Sequence, residues 1–234
     1  MKSLISTVVK DVRLQVRYGF YFATVFVAII YIAIIKQLPP ASLATILPLL
    51  LLSNLTITAY FFVAGLILFE KGESILEALV VTPLPPTAYL TAKIISLSIL
   101  ALVENLLIAG ITTWFGFNLP LLATGLILNA TIMVLMGFIV VVRFDSINEF
   151  IIPGALLMTI FSVPLVDYLG LFQHWLFYIH PVTAPLKLMG SAFSSNGELG
   201  IWLGVISSLI WIGLLFNWAR RDFRQFVILG RGQR

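Results

Sequence analysis

LLATGLILNATIMVLMGFIVVV, residues 121–142, runs twenty-two positions without an ionisable side chain and stops at Arg143. Crossing a bilayer takes roughly 17 to 25 residues of apolar helix. In lipid every backbone amide must find its partner inside the segment, so a run of this kind is a helix or it is not in the membrane. Comparable runs lie on both sides of it. Tyr18 to Ile35, Ile46 to Phe69 and Tyr89 to Phe115 precede it, and Phe150 to Val166 and Leu199 to Ala219 follow. Of the 234 residues, 60% are hydrophobic and only 10% charged, with a mean hydropathy of +1.08. A soluble domain is about a quarter charged. Lipid is therefore the solvent for much of this chain, and no stretch remains for an independent soluble domain. The expected fold is all-α and polytopic, a single transmembrane domain over 1–234.

A net charge of +4 and a pI near 9.5 do not point to nucleic acid, because the positive charges sit at the chain ends and beside apolar segments. Residues 1–17 have Ile5, Val8, Val9, Val12 and Val16 at helical spacing, with Lys10, Arg13 and Arg17 on another side. A basic amphipathic helix of this kind lies in the membrane interface; the plainer reading is a solvated leader. It is not a cleavable signal, since about seventeen mixed residues precede the first apolar run. There is no cysteine, hence no disulfide, thiol nucleophile or thiolate metal site.

Residues 168–186 are also uncharged, and counting them as a span would give seven crossings and place the termini on opposite sides. The basic residues decide. Six spans put twelve of the fourteen Lys and Arg residues on one side and leave only Lys36 and Lys187 on the other. Positive residues concentrate in the cytoplasm, so both termini are expected there, in the cell (inner or plasma) membrane, with 220–234 as a basic tail. The stretch 168–195 then reads as an outer-leaflet or re-entrant segment before the last span. Pro181 and Pro185 break it, and Trp175 and Tyr178 suit an interface. His174 and His180 also fall here and read as interfacial histidines rather than metal ligands.

The loop over 70–86, between the second and third spans, is the most polar internal stretch. Ile75, Leu76, Leu79 and Val80 form one apolar face of a short helix, and Glu73 and Glu77 share the opposite one. Three acids against one lysine in 70–77 disfavour the negative inner leaflet. Docking to a soluble cytoplasmic protein is the sharper of the two readings.

The run Glu70-Lys71-Gly72-Glu73-Ser74-Ile75-Leu76-Glu77-Ala78-Leu79-Val80-Val81-Thr82-Pro83-Leu84, with Lys93 opening the third span, resembles the type-2 ABC exporter permeases. In that family the loop reads acid, variable, Gly, acid or Ser, Leu-Glu-x-Leu, a small residue and Pro. The resemblance extends to the layout of interfacial helix, six spans and broken helices before the last. Ile75 and the Pro85-Pro86 pair depart from the pattern. The resemblance implies the transmembrane subunit of an ATP-driven exporter that forms half of a translocation pathway. Its loop (Glu70, Lys71, Gly72, Glu73, Leu76, Glu77, Leu79, Thr82, Pro83) would fit a groove on a separate ATPase subunit. A second permease copy or a homologue would supply the other half. ATP and Mg would belong to that ATPase, because no Gly-x-x-x-x-Gly-Lys-Ser/Thr phosphate loop occurs in this chain, and the chain itself is expected to be no enzyme.

Three polar residues fall inside spans. At 1.5 Å per residue, Glu104 lies roughly 16 Å above Lys93, Asn129 roughly 21 Å above Arg143 and Asn54 roughly 24 Å above Glu70. Buried polar side chains in lipid mark either a translocation path or interhelical bonding, and both readings stand. Gly200, Gly204 and Ser208 recur every fourth residue in the last span, a spacing compatible with close helix packing. An uptake-system binding subunit that borrows an ATPase is a rival, disfavoured by the acidic loop. An intramembrane protease is remote, because Asp145 and Asp167 sit at span ends and Gly190-Ser191 lies in a loop.

Overall fold

A computed structural model of the chain describes residues 2–76, 85–193 and 198–228, and no strand occurs among them. Helix α1, Lys2–Arg17, bends by 66° into α2, Phe20–Ile35. The bend falls at Gly19, whose φ of 78° is left-handed and costs a side-chain-free residue least. α3, Pro40–Leu55, and α4, Phe62–Gly72, form one 33-residue span through a π-helical stretch, Thr56–Phe61. α5 covers Pro86–Thr113 and α6 Leu119–Val141. α7, Ile147–Phe161, and the one-turn α8, Pro164–Tyr168, form the next span of 22 residues. A 3₁₀ turn at Trp175–Ile179 and α9, Thr183–Ser191, lead to α10, Glu198–Asp222, which ends in a second π-helical stretch, Phe223–Ile228. Among the described residues five helices are long and apolar enough to cross a membrane, and six crossings result when the bent pair α1–α2 counts as one.

The span starts follow ordinary capping rules. Asn118 accepts from the Leu121 amide at 3.1 Å with Pro120 in the first turn of α6. Ser146 accepts from Glu149 N at 3.3 Å, and Glu149 reaches back to Asp145 N at 3.2 Å, opening α7.

α6 is the central helix. In its apolar window 83% is buried, against 22% for the α7–α8 span and 11% for the last. Small residues let neighbours close on it. A Cβ on Gly137 would stand 2.6 Å from the Tyr60 carbonyl oxygen, and one on Gly125 would meet Met189 Cγ at 2.7 Å. The first contact seats the wide π-turn on α6, and the second seats α9. Residues 168–186 therefore do not cross. They fold as short helical pieces, with α9 packed on α6 through Leu186 and Met189, both 0% exposed. His174 and His180 each accept a backbone amide two residues on, from Leu176 and Val182, at 3.3 Å. Burial pushes His180 down to about 4, so it is neutral at ordinary pH.

The parity expected from charge agrees with the ion pairs. Arg143 meets Asp222 at 2.6 Å, Lys93 meets Asp11 at 2.7 Å and Lys71 meets Asp145 at 3.2 Å. These contacts bring the beginning of the chain, the α4 end, the α6–α7 link and the end of α10 to one end of the bundle, which requires an even number of crossings. Residues Phe22, Ile152, Leu156, Trp202 and Leu203 on α2, α7 and α10 point outward, as apolar side chains do when lipid or another membrane helix is their solvent.

Candidate functional site

Two groups of sequence-predicted residues are separated along the bundle, and the structure treats them differently. At the α1 end, Lys93 on α5 is 1% exposed and is held between Asp11 of α1 and Glu70 of α4. The Tyr89 hydroxyl also donates to Glu70. One turn further along the same faces, Gln15 donates to Ser96 at 2.9 Å. Helix α1 thus presents a third face that the apolar stripe and the basic side do not reveal. Ile5, Val9 and Val16 remain exposed, while Asp11 and Gln15, four residues apart, are buried at 4% and 0%. Burial pushes the Asp11 carboxyl above its usual range; the Lys93 charge opposes this and the Glu70 charge adds to it. One ammonium between two carboxylates leaves the site a net acid, which fits that direction.

This network redistributes the residues expected on a docking face. Glu70 is 1% exposed and turned into the protein, where it pairs with Lys93. The reason is its register. Glu70 falls on the α4 face that packs against α5, opposite Lys93. Lys71 donates to the Val142 and Phe144 carbonyls at 2.9 and 2.6 Å, neutralising the open end of α6. Leu76 is buried at 4%. What stays exposed is Gly72 and Glu73, the latter in a 3.3 Å ion pair with Arg17. Glu77, Leu79, Thr82 and Pro83 lie outside the described residues.

Mid-bundle, Asn54, Glu104 and Asn129 are exposed by 0%, 3% and 0%. Asn54 donates to Asn105 at 3.2 Å, and Asn54 and Thr58 are the polar neighbours of Glu104. No described residue bonds the Asn129 side chain. The three are buried inside the bundle, and none of them lines the cleft at its far end. Asn105, which the sequence reading passed over, is the residue that joins α3 to α5. Its signal was adjacency to Glu104. The estimated heights of about 24 Å for Asn54 and about 18 Å for Asn105 differ, although their lower reference residues, Glu70 and Lys93, are paired. The wide π-turn between Asn54 and Glu70 packs more residues per unit height and takes up part of the difference.

At the far end a cleft of about 840 Å³ opens between α3, α8, the 3₁₀ turn, α9 and α10. Gly204 lies close to Leu188 of α9, whereas a Cβ on Gly200 would meet nothing within 4 Å; Ser208 is fully buried.

Two comparisons agree with the architecture. The profile of the fluoroquinolones export permease protein family matches residues 2–231. Proteins named fluoroquinolones export permease in two Mycobacterium tuberculosis strains, CDC 1551 / Oshkosh and ATCC 25618 / H37Rv, are each 29% identical over 235 residues. These alignments cover 99% of this chain and 99% of each relative. With the permease-like loop, six helical crossings and broken segment already in place, the chain belongs to the fluoroquinolones export permease protein family, an exporter permease family of the ABC type.

Proposed function

We propose that this chain is the membrane half-channel of an ATP-driven exporter, working with a second permease and a separate cytoplasmic ATPase, with both termini on the ATPase side. The cargo class is small aromatic amphiphiles of the kind for which the relatives are named. The observation that carries the reading is the buried Asp11–Lys93–Glu70 group. It joins the root of the acidic loop rigidly to the interfacial helix and to the third span. A force applied to the loop by a nucleotide-driven partner would move α1, α4 and α5 together rather than bend the loop alone. Glu73, exposed at the loop's start, and Glu77 beyond it provide the acidic surface for such a partner.

The test is co-purification. Expressed with its cognate ATPase subunit, the wild-type permease should retain that ATPase in detergent and raise its hydrolysis rate in lipid nanodiscs. Glu77→Lys reverses one charge in the contact and should abolish both effects while the permease elutes as before. If co-purification and stimulation survive the substitution, the loop is not the coupling element. Sidedness has its own test, simplified by the absence of native cysteine. A cysteine at Ser42 should react with an impermeant thiol reagent from outside, and one at Asn148 should not.

A further inference from the structure

The far-end cleft has a lining unlike the rest of the bundle. Asp167, at the end of α8, is 4% exposed in its side chain, and Lys187 of α9 lies 2.9 Å from its Oδ2. The approach lacks hydrogen-bond alignment, so this buried carboxylate oxygen has a charge beside it and no donor directed at it. The same Lys187 ammonium sits 4.0 Å from the centroid of the Tyr178 ring. Tyr168, Gln173 and Ser207 complete the polar wall, and Gly200 and Gly204 keep the α10 side low. A volume near 840 Å³ lies within the range of about 300 to 1,000 Å³ that small-molecule sites occupy.

From this lining we propose that the cleft is a cargo site for a planar aromatic zwitterion, with Asp167 receiving its ammonium, Lys187 its carboxylate and Tyr178 its ring. The inference rests on the exporter reading above and adds where the cargo is held. The physical case is one of charge balance. Separating Asp167 from Lys187 leaves two partly dehydrated charges without partners, a severe cost for a neutral or singly charged guest. A zwitterion of suitable span replaces each partner with an opposite charge as it enters. The Tyr178 face, already holding a cation over it, becomes a stacking surface once Lys187 turns to the guest. The resting ion pair is then a selectivity device: it admits guests carrying both charges and rejects those carrying one.

The experiment uses the full transporter in nanodiscs and three probes that differ by one group: norfloxacin, its methyl ester and its N-acetyl derivative. Binding is read from the probes' own fluorescence. Norfloxacin should bind at least tenfold more tightly than either derivative. Lys187→Gln should weaken norfloxacin about tenfold and tighten the ester, whose ammonium then meets an unpaired Asp167. Asp167→Asn should weaken norfloxacin alike and tighten the N-acetyl compound, whose carboxylate then meets an unpaired Lys187. The exchange Asp167→Lys with Lys187→Asp keeps the pair and serves as the folding control. It should recover at least part of the norfloxacin binding that either single substitution loses. Equal losses for all three probes in both single variants, or an unchanged norfloxacin affinity in them, would overturn the site. If the wild-type complex retains and stimulates its ATPase but binds none of the probes, the cargo site fails and the exporter reading stands; loss of the ATPase in wild type would fail the exporter reading itself.

Discussion

The two ends of the bundle solve the problem of buried charge in opposite ways. At the α1 end, Asp11, Glu70 and Lys93 are all nearly inaccessible and bind one another through several contacts, with Tyr89 and Ser96 completing the set. At the far end, the Asp167–Lys187 pair has no third charged partner among the described residues and lies beside an open cleft, its lysine side chain 39% exposed. The first arrangement resists rearrangement, because moving any member strands another. The second can exchange partners. In the proposed exporter, the stiff end would receive force and the compliant end would hold and release cargo. The contrast follows from how many polar groups share each charge.

The largest expected effect is at the stiff end. Lys93→Met leaves two buried carboxylates facing each other, and breaking a buried pair in this way costs about 3 to 5 kcal/mol. The detergent unfolding midpoint should fall sharply, and no assembled complex should be recovered. Asp11→Asn should be far milder, since it leaves Lys93 with Glu70 as a neutral pair. Equal losses for the two would mean that the network is not organised around the lysine.

A smaller loss is expected where backbones touch. Gly137→Leu places a side chain where a Cβ already meets the Tyr60 carbonyl oxygen at 2.6 Å. Overpacking of this kind costs about 1 to 3 kcal/mol. The midpoint should drop, whereas Gly213→Leu on α10, where an added Cβ meets nothing within 4 Å, should leave it unchanged.

Between the ends, Glu104 tests whether mid-bundle polarity or charge matters. Glu104→Gln keeps volume and bonding capacity and should retain most transport. Glu104→Leu removes the polar neighbour of Asn54 and Thr58, which keep their bonds to Asn105 and to the Asn54 carbonyl, and should impair transport with little loss of assembly. Loss of transport in a well-assembled Gln variant would instead make the ionised form the working one. The smallest effect belongs to Arg17→Ala. The Arg17–Glu73 pair is solvent-facing, with side chains 66% and 38% exposed, and pairs of this kind contribute under about 1 kcal/mol.

Much of this protein is written in one dimension. Runs of apolar residues long enough to span lipid, and basic residues gathered beside alternate ends of them, determine membrane residence, helical class, the number of crossings and their parity. Each is a property of a segment or a count, needing no knowledge of neighbours. The loop from Glu70 was legible for the same reason, as a contiguous pattern. What the sequence could not assign is which polar residues meet. Asp11 and Gln15 carried no signal on a basic amphipathic helix, and Glu70 read as part of a docking loop, until tertiary packing placed Lys93 between α1 and α4. Asn105 gained its partner only when α3 packed beside α5. The Asp167–Lys187 pair spans twenty residues of short helices whose path no periodicity predicts. In lipid the hydrophobic effect settles which segments are buried in the membrane but scarcely distinguishes one helix face from another. The choice of faces falls to close packing and to the pairing of a few polar groups, and both exist only in three dimensions.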